Sequence, residues 1–299
     1  MMRPRPLCVA AALTAACGSG RAVTPPAPAT PSPYSPAASQ PAAPPTSPAR
    51  PRVDAVHYGP SAVRYLVHRQ LHIQQALGDQ TQVQDLGVRI FVAVAITGPA
   101  DAVGYPTTFS VDSMVADSGT PPRVADNLVK VRKLVFAGRV VAKGEFVNAL
   151  PSDSALAQSV VQLLGSFRDF LPRLPADGVK PGAAWTDTVE TTQKGTDAEG
   201  SRRTIIHASA LTSADQAGVP TVRVETRQSY SVSGSGKNAG QPYELAGAGS
   251  ANGTALITAD GRYLGGESRD STALTIRLPV QGVAVPVVQV TRTTIAVLP

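Results

Sequence analysis

From residue 53 onward, apolar side chains recur at alternate positions in one short segment after another. A period of two puts them on one face of a strand, so such a chain must fold as sheet with that face buried. Tyr65, Val67, Leu71 and Ile73 alternate with His68, Gln70, His72 and Gln74, although this stretch also admits a helical reading. Val88 to Thr97 is an almost continuous β-branched and aromatic run, and Phe109 to Val115 alternates again. Phe136 to Val141 and Glu145 to Leu150 flank Lys143-Gly144, which reads as a hairpin. The second half predicts six more strands: Trp185 to Thr192, Thr204 to Thr212, Pro220 to Val232, Tyr243 to Thr258, Arg262 to Ile276 and Val285 to Val297. Asp260-Gly261 between two of these suggests a type I′ turn. The two Gly corners suggest two similar β-rich halves.

Two helices are expected to interrupt the strands. A short one would run from Arg123 to Lys133. A longer one follows the capping cluster Pro151-Ser152-Asp153-Ser154, with Leu156, Val160, Leu163, Leu164, Phe167 and Leu171 at three- and four-residue spacing. Pro172 ends it, because proline disfavours helix in the residue before it. The expected fold is therefore mainly β (α+β), with curved antiparallel sheet or sheets wrapped on one long helix at about 154–171.

The domain from residue 53 onward has to hold that fold together without cysteine. The two cysteines are Cys8 and Cys17, both at the start. Arg3 and Arg5 precede an uncharged apolar run from Leu7 to Ala16, a basic, apolar, small-residue order typical of a secretory signal. At about ten residues the run is too short to span a bilayer, which needs about 20. Leu13-Thr14-Ala15-Ala16-Cys17 resembles the lipobox of bacterial lipoproteins. That resemblance implies cleavage before Cys17 and lipidation there. Gly18, where an aspartate would resemble an inner-membrane retention signal, implies the outer membrane, facing the periplasm.

Residues 18–52 are dominated by Pro, Ala, Ser and Thr, with eleven prolines from Pro25 to Pro51. Such a segment buries too little apolar surface to offset its ordering entropy and is expected to stay disordered. Fully extended as polyproline II it would reach on the order of 100 Å. The chain thus divides into a leader (1–16), a lipidated cysteine with a linker (17–52) and a β-rich domain (53–299). Five of the 27 basic residues precede residue 53, where there are no acids, leaving 22 against 21 in the domain. With no basic surplus, nucleic acid is not an expected partner.

Chemistry is sparse in this sequence. On a helix His68 and His72 would share a face as zinc ligands do; on a strand they stand about 13 Å apart, too far for one metal. The strand reading is preferred, and no metal or cofactor site is assigned. His57 and His207 lack a local acidic or cysteine partner pattern. Ser235 and Ser250 sit near glycines without the nucleophile-elbow spacing. Ser233-Gly234-Ser235-Gly236-Lys237 resembles half of a phosphate loop, but Asn238 stands where Ser or Thr is needed, and a hairpin tip is expected instead. Asp215, Glu225, Glu244 and Glu267 fall on different strands, so no catalytic residue is assigned. Gly247, Gly249 and Gly253 mark a bent strand or a close approach. Trp185 is expected as a core anchor.

The run Phe170-Leu171-Pro172-Arg173-Leu174-Pro175, followed by Gly178 to Trp185, resembles a family of uncharacterised bacterial lipoproteins, as do the Asp-Gly hairpin and Val285-Pro286-Val287. The resemblance spans roughly 57–299 and implies a fold and an envelope location. A looser likeness is to lipid-carrying envelope lipoproteins. The functional expectation is a non-catalytic lipoprotein, held at the membrane by its lipid anchor, that binds an apolar ligand or an envelope protein. An envelope hydrolase with a spatially assembled site and a structural assembly factor are the alternatives.

Overall fold

The computed structural model describes residues 55–120, 128–158, 167–194, 198–212, 219–238 and 240–299. The leader, Cys17 and the whole of the linker (17–52) lie outside them, as do the start of the expected 123–133 helix, Asp215 and residues 159–166.

Eleven strands overlap the eleven patterned segments. They are β1 (Ser61–Leu77), β2 (Gln80–Ile96), β3 (Tyr105–Ala116), β4 (Val135–Val140), β5 (Phe146–Pro151), β6 (Ala184–Lys194), β7 (Ala198–Thr212), β8 (Thr221–Asn238), β9 (Gln241–Thr258), β10 (Tyr263–Leu278) and β11 (Val283–Val297). All belong to one antiparallel sheet in the order β5-β4-β3-β2-β1-β11-β10-β9-β8-β7-β6. Each strand pairs with its neighbours in sequence except β5 and β6, which are the two edges, and the first also pairs with the last, Val67 opposite Ile295. Two runs of consecutive hairpins, β1–β5 and β6–β11, are thus joined through β1 and β11 into one sheet.

A sheet wrapped on one long helix is not what the chain forms. Residues 154–158 are helical and Phe167–Asp169 is a single 3₁₀ turn; from Phe170 to Pro175 the backbone is not helical. Of the expected stripe, Phe167 and Leu171 are buried and Leu156 is half-buried, while Val160, Leu163 and Leu164 lie outside the described residues; Phe170 and Leu174, which the stripe did not include, are buried as well. Backbone conformation was a separate matter. Pro172 and Pro175 cannot continue a helix, and the Leu174 amide donates to the Lys143 carbonyl at 3.1 Å instead. The segment is a strap laid across the sheet.

The strap is where the two wings of the sheet meet. Phe167 stacks on Phe109 of β3 with centroids 4.8 Å apart and meets Phe136 of β4 edge-on at 5.1 Å. Phe170 packs edge-on against Tyr65 of β1 at 5.2 Å and Tyr263 of β10 at 5.9 Å. The same core cluster takes in Val92 and Val111 from one wing and Ala210, Val224 and Ile257 from the other. Core-facing residues from β2, β3, β7, β8 and β9 share one cluster only because the sheet is curled around the strap.

Two hairpin corners hold the start of the domain. At the β4–β5 corner the Val141 amide donates to the Glu145 carbonyl and Gly144 to that of Val141; at the β9–β10 corner Thr258 donates to Arg262 and Gly261 to Thr258. Gly144 and Gly261 both take φ 85°. Asp260 is not in the left-handed region, so the second corner is not the type I′ turn expected, but a turn closed by a single left-handed glycine. A Cβ on Gly261 would meet the His57 carbonyl, and one on Gly144 the Tyr58 ring. Residues 57 and 58 are thus gripped between the corners, and Tyr58 Oη donates to the Pro172 carbonyl at 2.6 Å. The Thr258 hydroxyl beside Asp260 holds that carboxyl below its usual range.

No ladder joins β5 to β6 among the described residues, so the sheet has two free edges. Arg173 on the strap spans that seam. Its guanidinium donates to Glu145, beside β5, and to Asp187 on β6, each at 3.1 Å. Arg168 pairs with Glu145 as well, and Lys143 with Asp187 at 3.7 Å. These groups are mostly buried, where removing one partner strands the other charges.

Phe109 is fully buried and touches three other phenylalanines. Phe109→Ala is expected to cost about 3–5 kcal/mol, read as a shift in denaturant midpoint.

Candidate functional site

Along β6 to β11 the side chains alternate between a core face and an outer face, and the core face is not uniformly apolar. The near end joins the strap cluster through Val224, Ala255 and Ile257. The far end carries a second apolar cluster, formed by Val232, Leu245, Leu274, Ile276, Val285 and Val287 with part of Tyr230. Between them run three polar cross-strand rows. One reads Thr204, Tyr230, Gly249, Thr272 and Gln289; the next Gln228, Ala251, Asp270 and Thr291; the third Thr226, Gly253, Ser268, Thr293 and Arg69.

Tyr230 organises this belt. It lies directly opposite Gly249, and a Cβ there would come within 2.4 Å of its ring. The missing side chain lets the ring lie flat across β9 and reach the next strand. Its hydroxyl meets Asp270 Oδ1 and Thr272 Oγ1, each at 2.5 Å. Arg202 sits over the other side of the ring, 3.7 Å from its centroid, with Nη2 3.9 Å from Asp270. Burial, then the Asp270 hydrogen bond, push the Tyr230 phenol well above its ordinary value. The phenol therefore stays protonated and donates to the carboxylate.

Arg69 enters the belt from β1. Burial lowers its pKa and the Asp270 charge opposes that shift, yet its Nε has no hydrogen-bond partner. A buried donor left unmade costs about 1–3 kcal/mol, more for a charged group. Such a cost in a sheet interior is a reason to ask what the belt is for.

A cavity of about 280 Å³ lies between the strap and this face. Phe170, Leu171, Ile206, Val224, Tyr263 and Ile295 make its apolar walls; Arg202, Thr204, Thr226, Gln228, Ser268 and Thr293 make its polar end, and Asp169 and Arg173 of the strap also line it. It combines an oily base with a few convergent polar groups, as small-molecule sites do.

The residues singled out from sequence are scattered relative to this cavity. His68 and His72 lie on the outer face of β1: Nε2 of His68 is 2.6 Å from Asp117, which also accepts from Arg89, and Nδ1 of His72 is 2.7 Å from Asp85. His207 meets Thr186 at 3.1 Å, and exposed His57 lies against Gly178. Among the described residues no serine hydrogen-bonds to a histidine, and no group of three or more His, Cys, Asp or Glu could hold a metal. Ser233 to Lys237 is not a hairpin tip but part of strand β8, with Ser233 Oγ 2.9 Å from Ser201 Oγ. Glu225 pairs with Arg223, Ser235 donates to Glu199, and Ser250, Glu244 and Glu267 lie on outer-face rows. Trp185 packs partly buried against the strap cluster, its Nε1 buried and unpartnered. Of the glycines, Gly253 reaches the cavity wall and Gly249 makes room for Tyr230.

Arg69, Arg202, Tyr230 and Asp270 were not singled out from sequence. Their one local signal is a charged or polar residue in the core-facing phase of a strand.

No family model and no curated protein matches this chain. A solved structure that aligns with it is that of Pseudomonas aeruginosa OccK2 (OpdF), over 80% of this chain and 98% of that one, at 10% identity and a TM-score of 0.32. A likeness at that level does not establish a shared fold. In this chain the outer face carries charge at mid-strand, at Arg292, Arg269 and Arg227, whereas a barrel crossing a bilayer turns an apolar band outward.

Tyr230→Phe keeps the ring over Gly249 but removes the donor to Asp270. It is expected to cost about 1–3 kcal/mol, measured by chemical denaturation, with the far apolar cluster retained.

Proposed function

We propose that this protein is a cell-envelope lipoprotein, lipidated at Cys17 and held off the outer membrane by its proline-rich linker, that binds a small amphipathic ligand in the cavity under the strap. The cavity is the observation that carries the reading. Its apolar walls suit a hydrocarbon chain, and its polar end offers the Arg202 guanidinium and the Gln228 amide to a head group. At about 280 Å³ it falls just below the roughly 300–1,000 Å³ of sites for drug-sized ligands. The ligand is therefore a short single-chain amphiphile rather than a diacyl lipid. The Cys17 motif and the apolar run before it support the envelope address.

Ala255 faces the core and lines the cavity. Ala255→Leu fills space there and is expected to weaken binding of a fluorescent medium-chain fatty acid by about tenfold, about 1.4 kcal/mol, with the melting temperature unchanged or raised. Equal binding by both proteins refutes the site. Cys17→Ala is expected to release the protein from the membrane fraction; unchanged fractionation refutes the anchor.

A further inference from the structure

The outer face of the same strands carries a second feature, which the strand register alone brings together. Gln70 of β1 is opposite Arg292 of β11, which is opposite Arg269 of β10, then Asn252 of β9, Arg227 of β8 and His207 of β7. These six residues form one straight cross-strand row. At about 4.8 Å per strand it is about 24 Å long. Every member can donate a hydrogen bond, and none is apolar.

The arginines in the row differ from others on the outer face. Arg64, Arg89, Arg203 and Arg223 each pair with a carboxylate on a nearby residue. Arg227, Arg269 and Arg292 are exposed and make no ion pair among the described residues. Arg269 and Arg292 face each other directly, an arrangement that destabilises a sheet. Three carboxylates stand one row away, Glu225, Glu267 and Asp85, and Asp117 lies over Gly87 at the end of the row; Asp85 meets His72, and Asp117 meets His68 and Arg89. Arg223 already takes Glu225 at 2.9 Å, and Glu267 lies on β10 about 7 Å along the strand from Arg269. The row lines a shallow groove of about 740 Å³.

We propose that this row is a binding site for phosphate groups, with one phosphate seated between Arg269 and Arg292 and a second held by Arg227 and Asn252. Guanidinium forks match phosphate oxygens in charge and geometry, and a bound phosphate cancels the repulsion that the empty row carries. The phosphate comes either from a soluble phosphorylated compound or from a phospholipid head group.

The test is calorimetric titration of the full chain with inorganic tripolyphosphate at about 0.15 M salt, near-physiological, beside flotation with phosphatidylglycerol and phosphatidylcholine vesicles. Flotation uses the Cys17→Ala chain, so that a lipid anchor cannot itself hold the vesicles. R269Q and R292Q are each expected to weaken tripolyphosphate binding about tenfold or more, the loss of one charged hydrogen bond, whereas R203Q, which removes an equal charge outside the row, leaves it unchanged. Phosphatidylglycerol flotation lost in the same variants assigns the phosphate to a lipid head group; tripolyphosphate binding without flotation assigns it to a soluble ligand. Both support the site. Binding of neither probe, or an equal loss in R203Q, overturns it, and so does tighter binding of a single-stranded oligonucleotide than of either probe. The unliganded R269Q chain is expected to melt no lower than the natural one in low salt; a drop of several degrees would assign the arginines to packing and also overturn the proposal.

Discussion

The strap from Phe167 to Leu174 is the contact on which the architecture depends. An eleven-strand sheet whose first and last strands pair in the middle leaves the consecutive strands β5 and β6 as its free edges. A sheet this wide curls, and its edges must be hydrogen-bonded, covered or charged. Here covering and charge do the work together. Aromatic side chains of the strap take up the concave face from both wings, and Arg173 bridges the groups beside the two edges. The grip on His57 and Tyr58 by two left-handed glycines adds a third element to the same end of the molecule.

That end being closed and apolar, the polar belt beyond it becomes informative. Arg69, Tyr230, Arg202 and Asp270 sit at core-facing positions that valine or leucine would fill at lower cost. Three of them satisfy one another, while Arg69 keeps an unpaired Nε. A fold selected for stability alone replaces such groups with apolar ones. The belt lies against the cavity, with Arg202 part of its polar end, so the strained chemistry and the available space coincide.

The strands were legible because period two is a local property: each segment from Tyr65 to Val297 carries its own record of which side chains go inside. The strap shows the limit. Phe167 and Leu171 have helical spacing, but a 3₁₀ turn followed by non-helical backbone buries both, and local pattern does not separate the two. The outer arginine row was invisible for another reason. Arg227, Arg269 and Arg292 are dispersed over 66 residues of sequence, and the near-neutral charge of the domain averages them away. Only the register of β8 to β11 sets them in line.

By itself, then, the sequence determined which segments become strands, which face of each is buried, and the signal-like start with its cysteine, because periodicity, turn residues and composition act over a few neighbours. Tertiary structure alone decided the strand order, the closing of the seam by a strap rather than a helix, the Tyr230–Asp270 belt and the arginine row. These depend on which residue of one strand stands opposite which residue of another. That choice is made by the packing of the whole sheet, at sequence distances where no local pattern reaches.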